Sequence, residues 1–372
     1  MNRIEATAEQ ALTGISSPKK EIVVVSGSSG LIGSALIRKL AGKYQVIGLD
    51  NAGYPYPPPE AECVTIDITS DEAVQKAFSD IRKKHGNQIA SFVHLAAYYS
   101  FSQKSSPLYD KITVRGTERL LKYLQDFGVE QFLFTSSMLV YAPSEPGQKI
   151  TEQSSLKPKW GYPKSKVATE EVMHKEHGSI PIMNFRVAGV YADEGNSIPI
   201  ANQIQRIYEK QITAYFFPGD SSHGSTFIHL DDLISAMERA IEKRNEFPPE
   251  GTMNIGEDET LSYEELQRII SLEIYGKEWK VIRIPKTIAK LGAFIQNLFG
   301  NNFIKPWMID IADDDYELDS SKAKEMLQWH PNHLLSKTLS KMITALKADP
   351  LQWYQENKLR APSWPKKNIH PT

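Results

Sequence analysis

The stretch from Ile22 to Gly33 leaves this chain few folds to choose from. A β-branched run, Ile22-Val23-Val24-Val25, leads into Gly27, Gly30 and Gly33 at G-x-x-G-x-x-G spacing. Beyond it Ala35, Leu36, Ile37 and Leu40 recur at helical period. Strand, tight turn and helix in that order gather backbone N–H groups at a helix N-terminus, where a pyrophosphate can sit against the positive end of the dipole. The glycines serve the bend, the close approach of phosphate and the packing of helix on strand, and a side chain would spoil each. A glycine triplet alone says little, but this one follows a strand and opens a helix, the context the motif needs.

A second strand is predicted over 44–49 and ends in Asp50. An acid about 20 residues past the motif accepts hydrogen bonds from the adenosine ribose hydroxyls and repels the extra phosphate of NADP. The cofactor therefore reads as NAD in preference to NADP. Asn51 and Gly53 are turn formers, so the plainer reading of Asp50 is an acid opening a loop.

Further strands are predicted over 63–66, 89–95, 131–135 and 182–187, with helices over 71–84, 113–127 and from Tyr162 to about His177. Such alternation builds a parallel sheet covered on both faces, so the expected fold is α/β, a doubly wound sheet of Rossmann type. Ligands of such sheets bind beyond the carboxyl ends of the strands. Gly27, Asp50, Asp67, Ala96 and Ser137 all follow predicted strand ends.

Past Gly189 the pattern loosens, with helices expected over 198–210, 233–244 and 263–275 and short strands over 227–229 and 253–255. The division this implies is a tail over 1–20 and a dinucleotide-binding domain over 21–190. A smaller, irregular region over 191–345, threaded into the first domain, supplies most of the substrate pocket. Residues 346–372 form an extension in which Pro350, Pro362, Pro365 and Pro371 forbid one long helix and Trp353 and Trp364 tuck against the surface. The proline-rich run Tyr54–Pro59 is expected near the adenine end of the cofactor.

A net charge of −2 argues against the concentrated basic surface that nucleic acid requires. The single cysteine, Cys63, excludes an internal disulfide and a cysteine-based zinc site, and fits a reducing compartment. Residues 1–20 carry Glu5 and Glu9 without a long apolar core, unlike a signal peptide, and no run of about 18 apolar residues marks a transmembrane span. The expectation is a cytoplasmic protein acting on a small molecule. His174 and His177 lack further ligands nearby, so no metal is expected.

Moving a hydride between a carbon and a nicotinamide needs a group to move the hydroxyl proton. A tyrosine phenol, with a reference pKa near 10, is a poor base until a cation stabilises the phenolate. In Tyr162-Pro163-Lys164-Ser165-Lys166, Tyr162 and Lys166 are one helical turn apart and share a side. Ser137, at a strand end, can hold the substrate oxygen. The pair alone is common on solvated helices; with Ser137 and the glycine turn upstream it reads as a catalytic set.

At these residues the chain resembles the extended short-chain dehydrogenases/reductases, in their NAD-dependent epimerase/dehydratase branch, from about Glu21 to Pro331. The carriers are the glycine motif, Asp50-Asn51, Asp67-Ile68, His94-Leu95-Ala96-Ala97, Ser136 to Tyr141, Tyr162 with Lys166, Phe227 to Leu233, Asn254-Ile255-Gly256 and Asp319 to Pro331. The resemblance implies Ser137, Tyr162 and Lys166 as the catalytic triad, with Lys166 also on the nicotinamide ribose. It implies adenine beside Asp67 and Ile68, a cofactor wall of Leu95, Ala96 and Ala97, pyrophosphate on the N–H groups of Leu31 and Ile32, and nicotinamide near Val187. Thr113 stands where many members carry asparagine. Relatives pair as homodimers through the helices after Thr113 and Tyr162.

The departures narrow the reaction. Sugar-nucleotide 4,6-dehydratases follow the catalytic hydroxyl with Asp-Glu; here Met138-Leu139 follow Ser137 and neither can move a proton, which argues against dehydration by that route. Gly189 replaces an asparagine, and Ser225-Thr226 replace a diphosphate-binding arginine, of sugar-nucleotide members, unless Arg206 or Lys210 substitutes. The run Val46 to Asn51 pulls the other way, being common in sugar epimerases.

Tyr98, Tyr99, Phe101 and Tyr191 are expected near the substrate entrance. The apolar stretch 288–299, with Leu291, Phe294, Ile295 and Leu298 at helical spacing, reads as a core or dimer helix before a lipid-facing one. Asp313-Asp314-Asp315 reads as a solvated face. The expected function is NAD-dependent oxidation or epimerisation of a secondary alcohol through Ser137, Tyr162 and Lys166. The rival readings are a steroid-dehydrogenase-like enzyme of a hydrophobic alcohol or ketone, and a non-catalytic NAD sensor or assembly protein on the same fold.

Overall fold

The computed structural model describes residues 20–51, 59–100, 106–145, 147–298 and 309–362. Its first half runs β1 (Ile22–Ser26), α1 (Leu31–Leu40), β2 (Gln45–Asp50), β3 (Glu62–Thr65), α2 (Asp71–His85), β4 (Ser91–His94), α3 (Arg115–Leu124), β5 (Phe132–Ser137), α4 (Gly161–Glu176) and β6 (Ile182–Val187). A seventh strand, β7 (Glu250–Ile255), comes from much later in the chain. The order is β7-β6-β5-β4-β1-β2-β3, with every neighbouring pair parallel. This is the doubly wound α/β sheet that the alternation predicts.

β1 is buried along its whole length, as a central parallel strand flanked on both faces must be. One core packs Leu36, Ile37 and Leu40 of α1 with Val23 and Val25, while Val24, Ile47 and Phe92 join Leu120, Leu121 and Leu124 of α3 on the other side. Ser70 caps α2 by accepting from the Ala73 N–H, and Asp71 and Glu72 follow in its first turn, where negative charge suits the helix dipole.

In the first half two elements differ from the sequence reading. The strand expected over 89–95 is split: Gln88–Ile89 pairs with Gly128–Val129 and Ser91–His94 enters the main sheet. The helix expected over 113–127 begins as a π-helical turn, Tyr109–Val114.

The later half adds α5 (Ile198–Tyr208), α6 (Leu230–Glu242), α7 (Tyr263–Tyr275), α8 (Lys286–Leu298), α9 (Ser321–Leu327), α10 (Leu335–Ala348) and α11 (Pro350–Glu356). A third core gathers Tyr191, Ile204, Trp279, Leu339 and Trp353. Trp353 is buried there. Residues 54–58 of the proline-rich run, Phe101 and Trp364 lie outside the described residues. Among the described residues no helix is long and apolar enough to cross a membrane.

Candidate active site

The glycine turn has the close contacts the motif demands. Gly27 sits at φ +75°, and a Cβ there would lie 2.8 Å from the Ala96 nitrogen; one on Gly33 would overlap the Gly27 carbonyl oxygen. α1 opens at Gly30 with no side-chain cap and no acid in its first turn, which leaves its leading N–H groups for an anion. Asp50 turns back to this loop: its Oδ2 accepts from the Ser29 N–H at 2.8 Å and its Oδ1 from the Asn51 N–H at 2.8 Å.

Ser137, Tyr162 and Lys166 line one cavity of about 1090 Å³, together with Ile32, Leu95, Ala97 and Val187. β5 delivers Ser137 at its last residue and α4 delivers Tyr162 and Lys166 in its first two turns. Gly27, Gly30, Gly33, Leu31, Asp50, Asp67, Ile68 and Ala96 are not in that wall. The first five belong to the turn and its neighbours; Asp67 accepts from the Thr69 N–H and hydroxyl, and Ile68 is buried against Gly116.

Lys166 is buried and donates to the Thr135 carbonyl at 2.6 Å, with its Nζ 4.5 Å from the Phe134 ring centroid and 5.6 Å from that of Tyr162. Burial pulls its ammonium down to about 7, against the upward pull of Glu170. The Tyr162 phenol is pushed well above its ordinary value, first by burial and then by Tyr99, while a hydrogen bond with Ser137 opposes the rise. The sequence reading expects Lys166 to make the phenol acidic; in the protein alone, desolvation of both groups wins.

Behind the site, Arg186 on β6 and Glu170 on α4 form a buried ion pair, Nη2 to Oε2 at 2.6 Å. Glu170 also accepts from Ser136, the neighbour of Ser137, and Arg186 donates to the Tyr141 hydroxyl at 2.9 Å. An acid one turn past Lys166 and a basic residue in an otherwise apolar strand are the signals that could have found this pair. His94 is held between Ser26 and Thr117, and burial, followed by the Lys166 charge, lowers it to about 3.

Thr113, standing in for the family's asparagine, is fully buried and accepts from the Tyr98 N–H at 3.0 Å. Tyr99 lines the cavity and meets the Tyr162 ring edge-on at 5.0 Å. Tyr98 packs instead on Tyr109, and Tyr191 is fully buried with its hydroxyl on Glu257, so neither is in the cavity wall.

Arg206 lines the cavity, whereas the Lys210 ammonium lies over the Tyr275 ring. Of the helix expected in the core or in a dimer, Ile288 and Leu291 are exposed in the single chain, against a core position; the side chains of Phe294, Ile295 and Leu298 lie outside the described residues. The aspartate run is tied down and not simply solvated: Asp313 pairs with Lys286, Asp314 with Lys159, and Asp315 accepts from the Gly224 N–H.

A parallel sheet with a glycine turn at its central strand and a cavity beyond its strand ends defines a dinucleotide-binding enzyme fold. The model of the NAD dependent epimerase/dehydratase family matches residues 23–256, and the chain belongs to that family. The uncharacterized UDP-glucose epimerase YtcB of Bacillus subtilis is 24% identical over 344 residues, covering 87% of this chain and 97% of its own. Among solved structures, UDP-glucuronic acid 4-epimerase of Bacillus cereus, in complex with UDP-glucuronic acid and NAD, superposes with a TM-score of 0.67 at 21% identity, over 88% of this chain and 99% of that one. dTDP-glucose 4,6-dehydratase of Bacillus anthracis, in complex with NAD, gives 0.67 at 18% identity, over 90% and 99%.

The family is NAD-dependent, and the residues present fit that cofactor. The turn has no room for side chains at Gly27 or Gly33, α1 opens uncapped, and the Asp50 carboxylate stands at the end of β2 beside it.

Proposed function

We propose that this enzyme oxidises a secondary alcohol of a small molecule and returns the hydride within the same turnover, as an epimerase. The observation that carries the reading is the convergence of Ser137, Tyr162 and Lys166 on one cavity wall with Val187, at the carboxyl ends of β5 and β6, and with Ile32 of the glycine turn's helix. Gly27, Gly30, Gly33, Leu31 and Ile32 would hold the pyrophosphate of NAD, and Asp50 its adenosine ribose. Asp67 and Ile68 would flank adenine, and Leu95, Ala96, Ala97 and Val187 would line the path to the nicotinamide. NAD supplies a hydride acceptor and donor when bound.

Tyr162 then takes the proton of the substrate hydroxyl and gives it back after the hydride returns. Ser137, which lines the same cavity wall as Tyr162, holds the substrate oxygen. Lys166, poised near neutrality by burial, carries the charge that stabilises the Tyr162 phenolate. Met138 and Leu139 stand where an acid and a base would serve water elimination, which supports epimerisation over 4,6-dehydration. The epimerase named among its relatives supports the same choice.

The test is Tyr162→Phe in the purified protein. Turnover of a secondary-alcohol substrate, read as isomer interconversion by mass spectrometry after chromatography, should fall by about a hundredfold or more. NAD affinity should stay within about twofold. An unchanged rate removes Tyr162 from the chemistry, and an NAD-binding protein without turnover would lose nothing in cells on this substitution.

A further inference from the structure

The cavity does not end at the proposed reacting groups. It continues between α5, the paired strands Phe216–Pro218 and Ile282–Ile284, and the first two turns of α8. That outer wall is built from Ile212, Phe216, Phe217, Ile284, Ile288 and Ile309. Ile212 is 73% exposed and Ile288 57%, so a large apolar surface meets solvent inside a concavity. A ligand that covers such a wall gains by removing it from water.

The charges around it narrow the ligand further. Lys286 is paired with Asp313, Lys159 with Asp314 at 2.5 Å, and Lys290 with Asp310 at 2.5 Å. The His223 ring faces the Asp313 carbonyl oxygen at 2.6 Å. Arg206 is different. Its Nη2 donates to Gln203 and to the Tyr263 hydroxyl, its Nε is buried without an acceptor, and it forms no ion pair among the described residues. A partly buried guanidinium with spare donors in a cavity wall calls for an anion.

A nucleoside diphosphate would bring two charged phosphates to this wall, and desolvating them against isoleucine is costly.

We infer that the substrate is an amphiphile, its apolar body lying along Phe216, Ile284 and Ile288 and its single anionic group held by Arg206. This rests on the reading that the reaction takes place at the Tyr162 end of the same cavity. The wall selects the hydrocarbon by area and Arg206 fixes its register, which presents the carbinol to Tyr162.

The test uses the full-length protein saturated with NAD and titrated calorimetrically with butyl, hexyl and octyl phosphate. Affinity should rise by about tenfold for each pair of methylenes. Octanol, which lacks the phosphate, should bind wild type at least tenfold more weakly than octyl phosphate does, and Arg206→Gln should cost octyl phosphate as much. Ile288→Gln, at an exposed position, should weaken octyl phosphate at least tenfold and butyl phosphate less than twofold. An affinity independent of chain length, octanol binding as tightly as octyl phosphate, or UDP-glucose binding more tightly than octyl phosphate would each overturn the inference. Alkyl phosphates need no chemistry, so Tyr162→Phe should bind them as wild type does. A flat series with Tyr162→Phe still inactive sinks only the substrate class, whereas full turnover by that variant sinks the catalytic reading.

Discussion

The ring of Phe227 fills the space that a side chain at position 189 would need: a Cβ on Gly189 would lie 2.7 Å from both Cδ1 and Cε1 of Phe227. Gly189 and Phe227 are direct partners in the short parallel ladder between 189–191 and 227–229, so neither can step aside without the other. The glycine at position 189 is thus built into the packing of this wall.

Gly189→Asn should therefore destabilise the protein by about 1–3 kcal/mol through overpacking. Urea denaturation would show it, and Phe227→Ala in the same chain should recover part of the loss by opening the space.

Asp50 should set the choice of cofactor. An Asn there can still accept from the Ser29 N–H but no longer offers charge to a ribose hydroxyl or repels a phosphate. Asp50→Asn should weaken NAD about tenfold, in line with the loss of a charge-assisted hydrogen bond, and strengthen NADP. Fluorescence titration with both cofactors reads the ratio, and a ratio that does not move would take Asp50 out of the site.

Removing one side of the pair behind the site should be costly. Glu170→Gln leaves the Arg186 guanidinium buried without a counter-charge, and about 3 kcal/mol of stability should go with it. The double variant Glu170→Met with Arg186→Leu should regain most of that in chemical denaturation, because it removes both charges from the interior.

Glu257 should make stability depend on pH. Burial raises its carboxyl from 4.5 to about 7, against the hydrogen bonds from Tyr191 and the Leu335 N–H. Between those values the folded protein holds a proton that the unfolded chain releases, so the contribution of this group to stability is present below 4.5 and is lost as pH rises through about 7. Melting temperatures of wild type and Glu257→Gln, taken across that window, should diverge in favour of the variant at the alkaline end.

The dinucleotide half was legible because its signals are local. Glycine spacing, strand-end residues and the Tyr162–Lys166 register each lie within a few positions of one another. What the sequence hid depends on contacts far apart in the chain. The upward shift of the Tyr162 phenol in the protein alone comes from the burial of Tyr162, which no spacing reports. Tyr191 has the residue type of an entrance aromatic, yet its partner Glu257 draws it into the third core. The apolar residues of α8 carry a helical period either way, and that period does not report that Ile288 and Leu291 face solvent.

β7 enters the sheet beside β6 with six residues in register, from Glu250↔Ile182 to Ile255↔Val187. During synthesis the flank of β6 stays bare until residue 255 has left the ribosome, offering unsatisfied amide groups to any neighbouring extended chain. A fragment ended near residue 190 would keep that flank bare for good and should associate with itself. The pocket-bearing half thus also finishes the scaffold of the half that precedes it.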